Sequence, residues 1–403
     1  MRIRQGYLFS FEDALKFEPR SRLRIILDAL DLDDVIDKLS HKTNVGPSGY
    51  SVYAKLCSLI AMRVYNMKTF TELVERLTVD PRFRYDCGFD PFGRVPSIAT
   101  FSRFYNQVAA SGILDDLFSK LVHTAEEMNL LDISAVAIDA TKLKAYEKAK
   151  PRKDISNDGQ SANWGSKLDT NGNQITWFGY KVHMAVDVKS ELPLAIEVTS
   201  ASVNDGKMAE SILKHCQKNL TGKPQYYLMD AGYDHKAIYE LVRNDYQAQA
   251  IIPLNHRRGK EPKAGFDFDG TPICSAGYRM VYWGASNGVN KFRCPHVLGK
   301  CDCPFGSSWC SSSNYGLVVK TRVKDDPRLF CTPHRGTANW QKLYNKRTAV
   351  ERCFSRLKEH LGLEKGLNVR GFTKVLSHVY LCAITMIASV IALNITQKKL
   401  NAA

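Results

Sequence analysis

Residues 344–358 read YNKRTAVERCFSRLK. Wound as one helix at about 100° per residue, Tyr344, Arg347, Glu351 and Lys358 share an arc of about 60°. Leu343, Val350, Phe354, Leu357 and Leu361 form an apolar stripe about 75° away. A hydroxyl, two cations and a single carboxylate thus line one face. Two further acids sit in a shared local pattern, Asp139 in AVAIDA and Asp230 in YYLMDAG. Each follows an apolar run and precedes small residues, as where a mixed sheet presents an acid at its rim beside a crevice. Taken singly, each Asp also suits a turn or helix cap. Arg347 and Glu351 likewise suit an i,i+4 pair worth a few tenths of a kcal/mol. Together the three carboxylates offer hard oxygen ligands for two Mg²⁺ ions. Two such ions about 3.5–4 Å apart serve in-line phosphoryl transfer, and the neighbouring bases would hold the phosphates that carboxylates repel. Asp187 and His183, spaced by period two on one strand, compete for the same rim, although a satisfied strand polar group is the default reading of both.

The charge of the chain agrees with a polyanionic partner. Its 403 residues carry 56 Lys+Arg against 41 Asp+Glu, a net +15, which suits nucleic acid. Residues 335–374 hold ten bases and three acids, +7 of that total. A second group, Lys142, Lys144, Lys148, Lys150, Arg152 and Lys153, surrounds Glu147. Apolar content of 44% and charged content of 24% are those of a soluble globular protein. The opening MRIRQGYLFSFEDALKF has no signal-peptide character. VYLCAITMIASVIAL falls short of the roughly twenty apolar residues of a membrane span and reads as a buried C-terminal helix. A cytoplasmic chain without membrane contact, its thiols mostly reduced, is expected.

These side chains need a scaffold. Residues 22–39 have helical spacing, and SHKTNVGPSGYS reads as a linker. From Ser51 to about Asn129 the pattern is helical, with a capping box at Thr69 and Glu72 and an N-cap at Ser97. Arg63, Lys68, Arg76, Arg82, Arg84, Arg94 and Arg103 in this stretch suit either a helix-turn-helix type of DNA docking or a plain dimerisation domain. From residue 133 the order reads β-β-β-α-β-α-β, with YKVHMAVDV and LPLAIEVTSA forming a hairpin and 154–174 a polar loop. Residues 255–335 read as an insertion with short strand-like runs.

The spacing Tyr344-x2-Arg347-x3-Glu351-x6-Lys358 resembles the Y-R-E-K signature of the DDE transposases of bacterial insertion sequences. The order of Asp139, Asp230 in DAGY, an insertion and the Glu helix agrees, and GFDPFGRVPSIATFSRF resembles the helical domain preceding the core in one branch. The resemblance covers about residues 45–395. It implies an RNase H-like mixed sheet flanked by helices, an all-α N-terminal domain (1–130) for binding DNA ends, a catalytic domain in two parts (131–254 and 336–403) and the Cys-rich insertion (255–335). Asp139, Asp230 and Glu351 would be the catalytic triad. Asp139 and Glu351 would hold one Mg²⁺ (or Mn²⁺), and Asp139 and Asp230 the other. Arg347 and Lys358 would contact phosphates, and Tyr344 the backbone or a displaced base. The implied reaction frees 3′-hydroxyls at the element's terminal repeats and joins them to target DNA, by a nucleoid-associated homodimer on paired ends. A nuclease of the same fold without strand transfer, and a non-catalytic DNA-binding descendant, are the alternatives.

Six of the eleven cysteines lie between Cys274 and Cys331. Cys294, Cys301, Cys303 and Cys310, with His296 nearby, suit a structural Zn²⁺, free thiols or, least, disulfides, although no C-x2-C pair is present. The insertion is expected to extend the DNA-facing surface.

Overall fold

AVAI, the start of strand β1 (Ala135–Lys144), is buried on both faces, so it can only lie inside a sheet. The structure, a computed structural model, describes residues 10–16, 18–40, 49–156, 158–168, 171–255 and 261–402. Most of the linker expected at 40–51, and the first nine residues, lie outside the described residues. Packing divides the chain into two units: residues 1–121, 357–368 and 373–403, and residues 122–356 and 369–372.

The first unit is helical. Ser51, Thr69 and Ser97 accept hydrogen bonds from backbone N–H groups to cap the helices Val52–Val64, Phe70–Val79 and Ile98–Ser111. Four of the seven cations expected on its surface instead serve inside the fold. Arg63 is buried and donates to the Met67 carbonyl (2.9 Å). Arg84 donates to the carbonyls of Leu77, Thr78, Pro91 and Gly93. Arg76 stacks on Tyr65 and Phe83, and Arg82 pairs with Glu18 and Asp86. Lys68, Arg94 and Arg103 remain exposed. Arg63 and Arg84 thus satisfy carbonyls that the short helices leave unpaired. The apolar C-terminal run extends into a helix of 31 residues, Phe372–Ala402. It is long and apolar enough to cross a membrane, yet 67% of its most apolar window is buried, as in a core helix.

The second unit is mixed α/β. Its main sheet adds β2 (Asn163–Leu168), β3 (Gln174–Asp187), β4 (Pro193–Ser200), β5 (Tyr226–Met229) and β6 (Gln249–Ile251) to β1. β3 runs antiparallel to β1 and β4, whereas β1, β5 and β6 are parallel neighbours. β2 was not expected, because only Asn163 and Gly165 of NWGSKL are buried and apolar alternation is missing. It pairs with the outer part of β3 through backbone bonds that carry no sequence signal. At Gly179 (φ +154°) a Cβ would meet the Leu143 carbonyl at 2.3 Å, so the crossing of β1 and β3 requires glycine.

Helices cover both faces. Asp139 lies opposite Met184 in register, and the Met184 sulfur is 3.7 Å from Cys353 Sγ on the helix Thr348–His360. His183 points the other way, paired with Glu197, which accepts a hydrogen bond from Ser211 on the helix Ala209–Lys218.

Between β6 and the helix Ala338–Asn345 lies a smaller antiparallel sheet of β7 (Val281–Ser286), β8 (Val289–Arg293) and β9 (Val318–Arg322). It is tied to the end of β5 by one buried carboxylate. Asp234 accepts from Arg328 Nε (2.9 Å) and Nη2 (2.6 Å), from the Asn255 N–H (2.8 Å) and from the Tyr239 hydroxyl (3.0 Å). Its side chain is 1% exposed, so a lost partner leaves buried charge uncompensated. Asp234→Ala is therefore expected to lower the stability of the chain by about 3–5 kcal/mol in urea unfolding. A loss below about 1 kcal/mol would mean that the brace behaves like a surface pair.

Candidate active site

Ile138 and Met229 are paired in the parallel ladder, and each is followed by an Asp. Asp139 and Asp230 thus stand side by side at the rim where β5 ends, on strands about 4.8 Å apart. Asp230 turns the chain sharply: its Oδ1 accepts the Gly232 N–H at 2.8 Å, capping the short turn Ala231–Tyr233. A Cβ on residue 232 would lie 2.9 Å from that oxygen, so a larger residue in DAGY would push the Asp230 carboxylate aside.

Glu351 reaches the same rim through Arg347. Arg347 Nη1 donates to Asp139 Oδ2 (2.7 Å) and Nη2 to Glu351 Oε1 (2.6 Å). The Arg347 side chain is 17% exposed, against 54% for Glu351. The expected single helix over 344–358 is in fact two. Ala338–Asn345 ends, Lys346 and Arg347 form a turn, and Thr348–His360 begins. The N–H groups of Lys346 and Arg347 bond carbonyls three residues back, and the Thr348 hydroxyl bonds the Asn345 carbonyl, which tightens the chain out of α geometry. Tyr344 stacks on Trp340 (centroids 5.1 Å apart, 14°), which is buried against Ala135, Leu228, Ile251 and Cys331. Arg347 Cζ lies 5.9 Å from the centre of the Tyr344 ring.

The site's electrostatics are those of crowded negative charge. Burial first, and the Asp230 carboxylate second, push the Asp139 carboxyl up to about 6, with Arg347 opposing. Burial also raises Asp230. Two residues that pattern reading did not single out stand close enough to act on this rim. Asp205 bears on Asp230 and is held by Lys181 Nζ (2.8 Å). Tyr233, 1% exposed, has a hydroxyl with no hydrogen-bond partner among the described residues and feels Asp205, Asp139 and Asp230. The tyrosine of DAGY was in plain view, but only the turn sets its direction.

The competing polar groups are otherwise engaged. Asp187 is fully buried and accepts from the Ile133 N–H, the Ser190 N–H and the Ser190 hydroxyl. His183 is held neutral by burial, which lowers it to about 4, and shares a hydrogen bond with Thr199. The short β3–β4 loop does more than turn: the Glu191 carboxylate grips both Arg352 and Arg356, anchoring the Glu351 helix. Lys358, two turns beyond Glu351, packs with the helical unit, its Nζ 3.9 Å from Glu364.

Hard carboxylate oxygens and an acid pushed up by its neighbour suit a divalent cation at Asp139, Asp230 and Glu351. Among the described residues no group of three or more His, Cys, Asp or Glu already stands in metal-holding geometry, and Arg347 lies between two of the three acids. In the insertion the Cys301 thiol lies within electrostatic reach of Cys294, Cys303 and Cys274, and all four candidate cysteines are free of disulfides. Cys294 is buried, whereas Cys301, Cys303 and Cys310 sit in half-exposed turns.

Residues 131–387 match the family model described as Transposase DDE domain, and residues 11–107 match Transposase domain (DUF772). The first match covers more than half of the chain. The chain belongs to the DDE transposase family, with the domains typical of bacterial insertion-sequence transposases. Among solved structures it is similar to the piggyBac transposase synaptic complex with hairpin DNA determined by cryo-EM. That likeness has 11% identity over 94% of this chain and 75% of that chain, with a TM-score of 0.43, and supports no argument about mechanism. No curated protein matches.

The Asp139 carboxyl gives a test of the crowded rim. In metal-free protein it titrates near 6 when folded and near about 3.9 when unfolded. Its contribution favours folding below the lower value and is lost as pH rises through the upper one. Asp139→Asn lacks that contribution. The melting temperature of the variant minus that of wild type, in EDTA, is expected to rise between pH 4 and pH 7. A constant difference would mean that Asp139 is not raised.

Proposed function

We propose that the chain is an insertion-sequence transposase of the Y-R-E-K group, cutting DNA at the element's ends and joining the freed 3′-hydroxyls to target DNA. The observation that carries this is the convergence on one rim of Asp139, Asp230 and Glu351, with Arg347 bonded to two of them. The strand arrangement supports an RNase H-like reading: an antiparallel β4–β3–β1 half continues into parallel β5 and β6. In this reading residues 1–130 bind the element's ends, 131–254 and 336–403 make up the catalytic domain, and 255–335 are its Cys-rich insertion. The protein works as a nucleoid-associated homodimer on paired ends.

Asp139, Asp230 and Glu351 would hold two Mg²⁺ or Mn²⁺ ions. Such ions, when bound, activate an attacking oxygen and stabilise the leaving one. The protein's own side chains do the positioning. Arg347 orients the Asp139 and Glu351 carboxylates before DNA arrives and offers its guanidinium to a phosphate near the scissile bond. Lys358 adds a cation on the same helix. Tyr344, stiffened by Trp340, keeps a flat apolar face for the backbone sugar or an unpaired base. The net +15 of the chain attracts the substrate and makes binding salt-dependent.

Glu351→Gln is expected to abolish end cleavage while leaving DNA binding within about threefold, since it removes a ligand charge and keeps the side chain's shape. Wild-type cleavage by this variant in Mg²⁺ would end the triad assignment. Arg347→Ala is expected to weaken both, and to reduce the slope of log affinity against log salt by about 0.9 in a duplex-end titration. An unchanged slope would take Arg347 off the phosphate backbone. Joined donor–target products distinguish a transposase from a nuclease of the same fold.

A further inference from the structure

Eight aromatic side chains are exposed among the described residues, and four of them, Trp283, Phe305, Trp309 and Tyr315, fall between Val281 and Arg322. An exposed indole forgoes about 1.5–3 kcal/mol of burial, so a cluster in a tenth of the chain calls for a physical account. The register of the small sheet supplies part of it. On one face Phe292 opposes Tyr282 and Val319, and Asn290 opposes Thr321. Phe292, Asn290 and Thr321 are buried. On the other face Lys291 opposes Lys320 and Val289 opposes Arg322, and all three cations are exposed. Arg293 shares that face. Trp283, at the bulge between Tyr282 and Gly284, joins it through Arg293, whose Cζ lies 4.3 Å from the Trp283 ring and 4.8 Å from that of Tyr315. Arg293 Nη2 also donates to the Tyr315 carbonyl at 3.3 Å. One guanidinium thus fixes two rings that are 57% and 65% exposed. The three strands carry no carboxylate, and Asp302 is the single acid between Val281 and Arg322.

Resting on the DNA-enzyme reading above, we propose that this face is a binding platform for an unpaired DNA strand, with Trp283 and Tyr315 stacking on bases and Lys291, Lys320 and Arg322 taking phosphates. Bases inside a duplex have no free face to offer a ring, whereas an unpaired strand presents one at every nucleotide. The cations point to a polyanion. Protein interface cores are depleted in lysine, which counts against a protein partner for a face with three exposed cations around two rings. Fixing the rings in advance through Arg293 lowers the ordering cost of binding.

The test uses the full chain in EDTA and two labelled probes of one sequence, a single strand of 20 nucleotides and its blunt duplex, read by fluorescence anisotropy. The Trp283→Ala/Tyr315→Ala double variant is expected to lose at least about tenfold in affinity for the single strand and under threefold for the duplex. Trp283→Phe, which keeps a ring, retains most of the single-strand affinity. Lys291→Ala and Lys320→Ala each lower the single-strand salt slope by about 0.7. Melting temperatures confirm that the variants are folded, as their exposure implies. Wild-type single-strand affinity in the double variant, or equal losses on both probes, overturns the platform alone. Loss of self-association with unchanged DNA binding also overturns it and reassigns the face to a second copy. Failure of wild type to bind either probe overturns both this proposal and the DNA-enzyme reading.

Discussion

Arg347 bonds a carboxylate at the strand rim to a carboxylate on a helix more than two hundred residues later in the chain, and the geometry of the site depends on that bridge. Asp139, Asp230 and Glu351 come together at a rim where burial first, and the Asp230 carboxylate second, push Asp139 upward. A mostly buried guanidinium with two charge-assisted bonds offsets part of that push. The tight turn at Lys346–Arg347 matters for this reason: it points Arg347 at the rim while Glu351 stays one helical turn away.

The acids around the rim differ in what they face. Asp187 is satisfied by three donors, Asp234 by four, and Glu191 by two arginines. Each closes a loop or anchors an element. Asp139 and Asp230 accept hydrogen bonds as well, from Arg347 and the Ala140 N–H and from the Gly232 N–H, but they also face each other beside a buried tyrosine hydroxyl that has no partner among the described residues. Crowded, perturbed acids of this kind are the ones a ligand site tends to use. Pattern alone does not make this distinction, because Asp139, Asp187 and Asp230 all follow strand-like runs.

What could be read from the sequence was what is local. The apolar runs before Asp139 and Asp230 marked two buried strands, and Asp230 does follow the end of β5, but Asp139 lies midway along β1, which runs on to Lys144 against β3; Thr69, Ser97 and Ser51 behave as the caps their types imply. The i,i+4 spacing of Arg347 and Glu351 was legible, but the partnership with Asp139 was not, since nothing local encodes a contact across 208 positions. β2 escaped notice because an edge strand with half its residues in water needs no apolar alternation. In the helical unit the spacing of the cations does not say which of them serve the fold: Arg63 and Arg84 donate to carbonyls four to nine residues away, whereas Lys68, Arg94 and Arg103 stay exposed.

The most direct measurement of the central claim, that Asp139, Asp230 and Glu351 form one cation site, is Fe²⁺-directed backbone cleavage. Fe²⁺ takes the place of Mg²⁺ at the oxygen ligands, and hydroxyl radicals made there cut the nearest chain, whose fragments are identified by mass spectrometry. The expected result is three groups of cuts, beside residues 139, 230 and 351, all suppressed by excess Mg²⁺. Cuts at Asp139 and Asp230 without Glu351, or cuts at none of the three, would contradict a shared site.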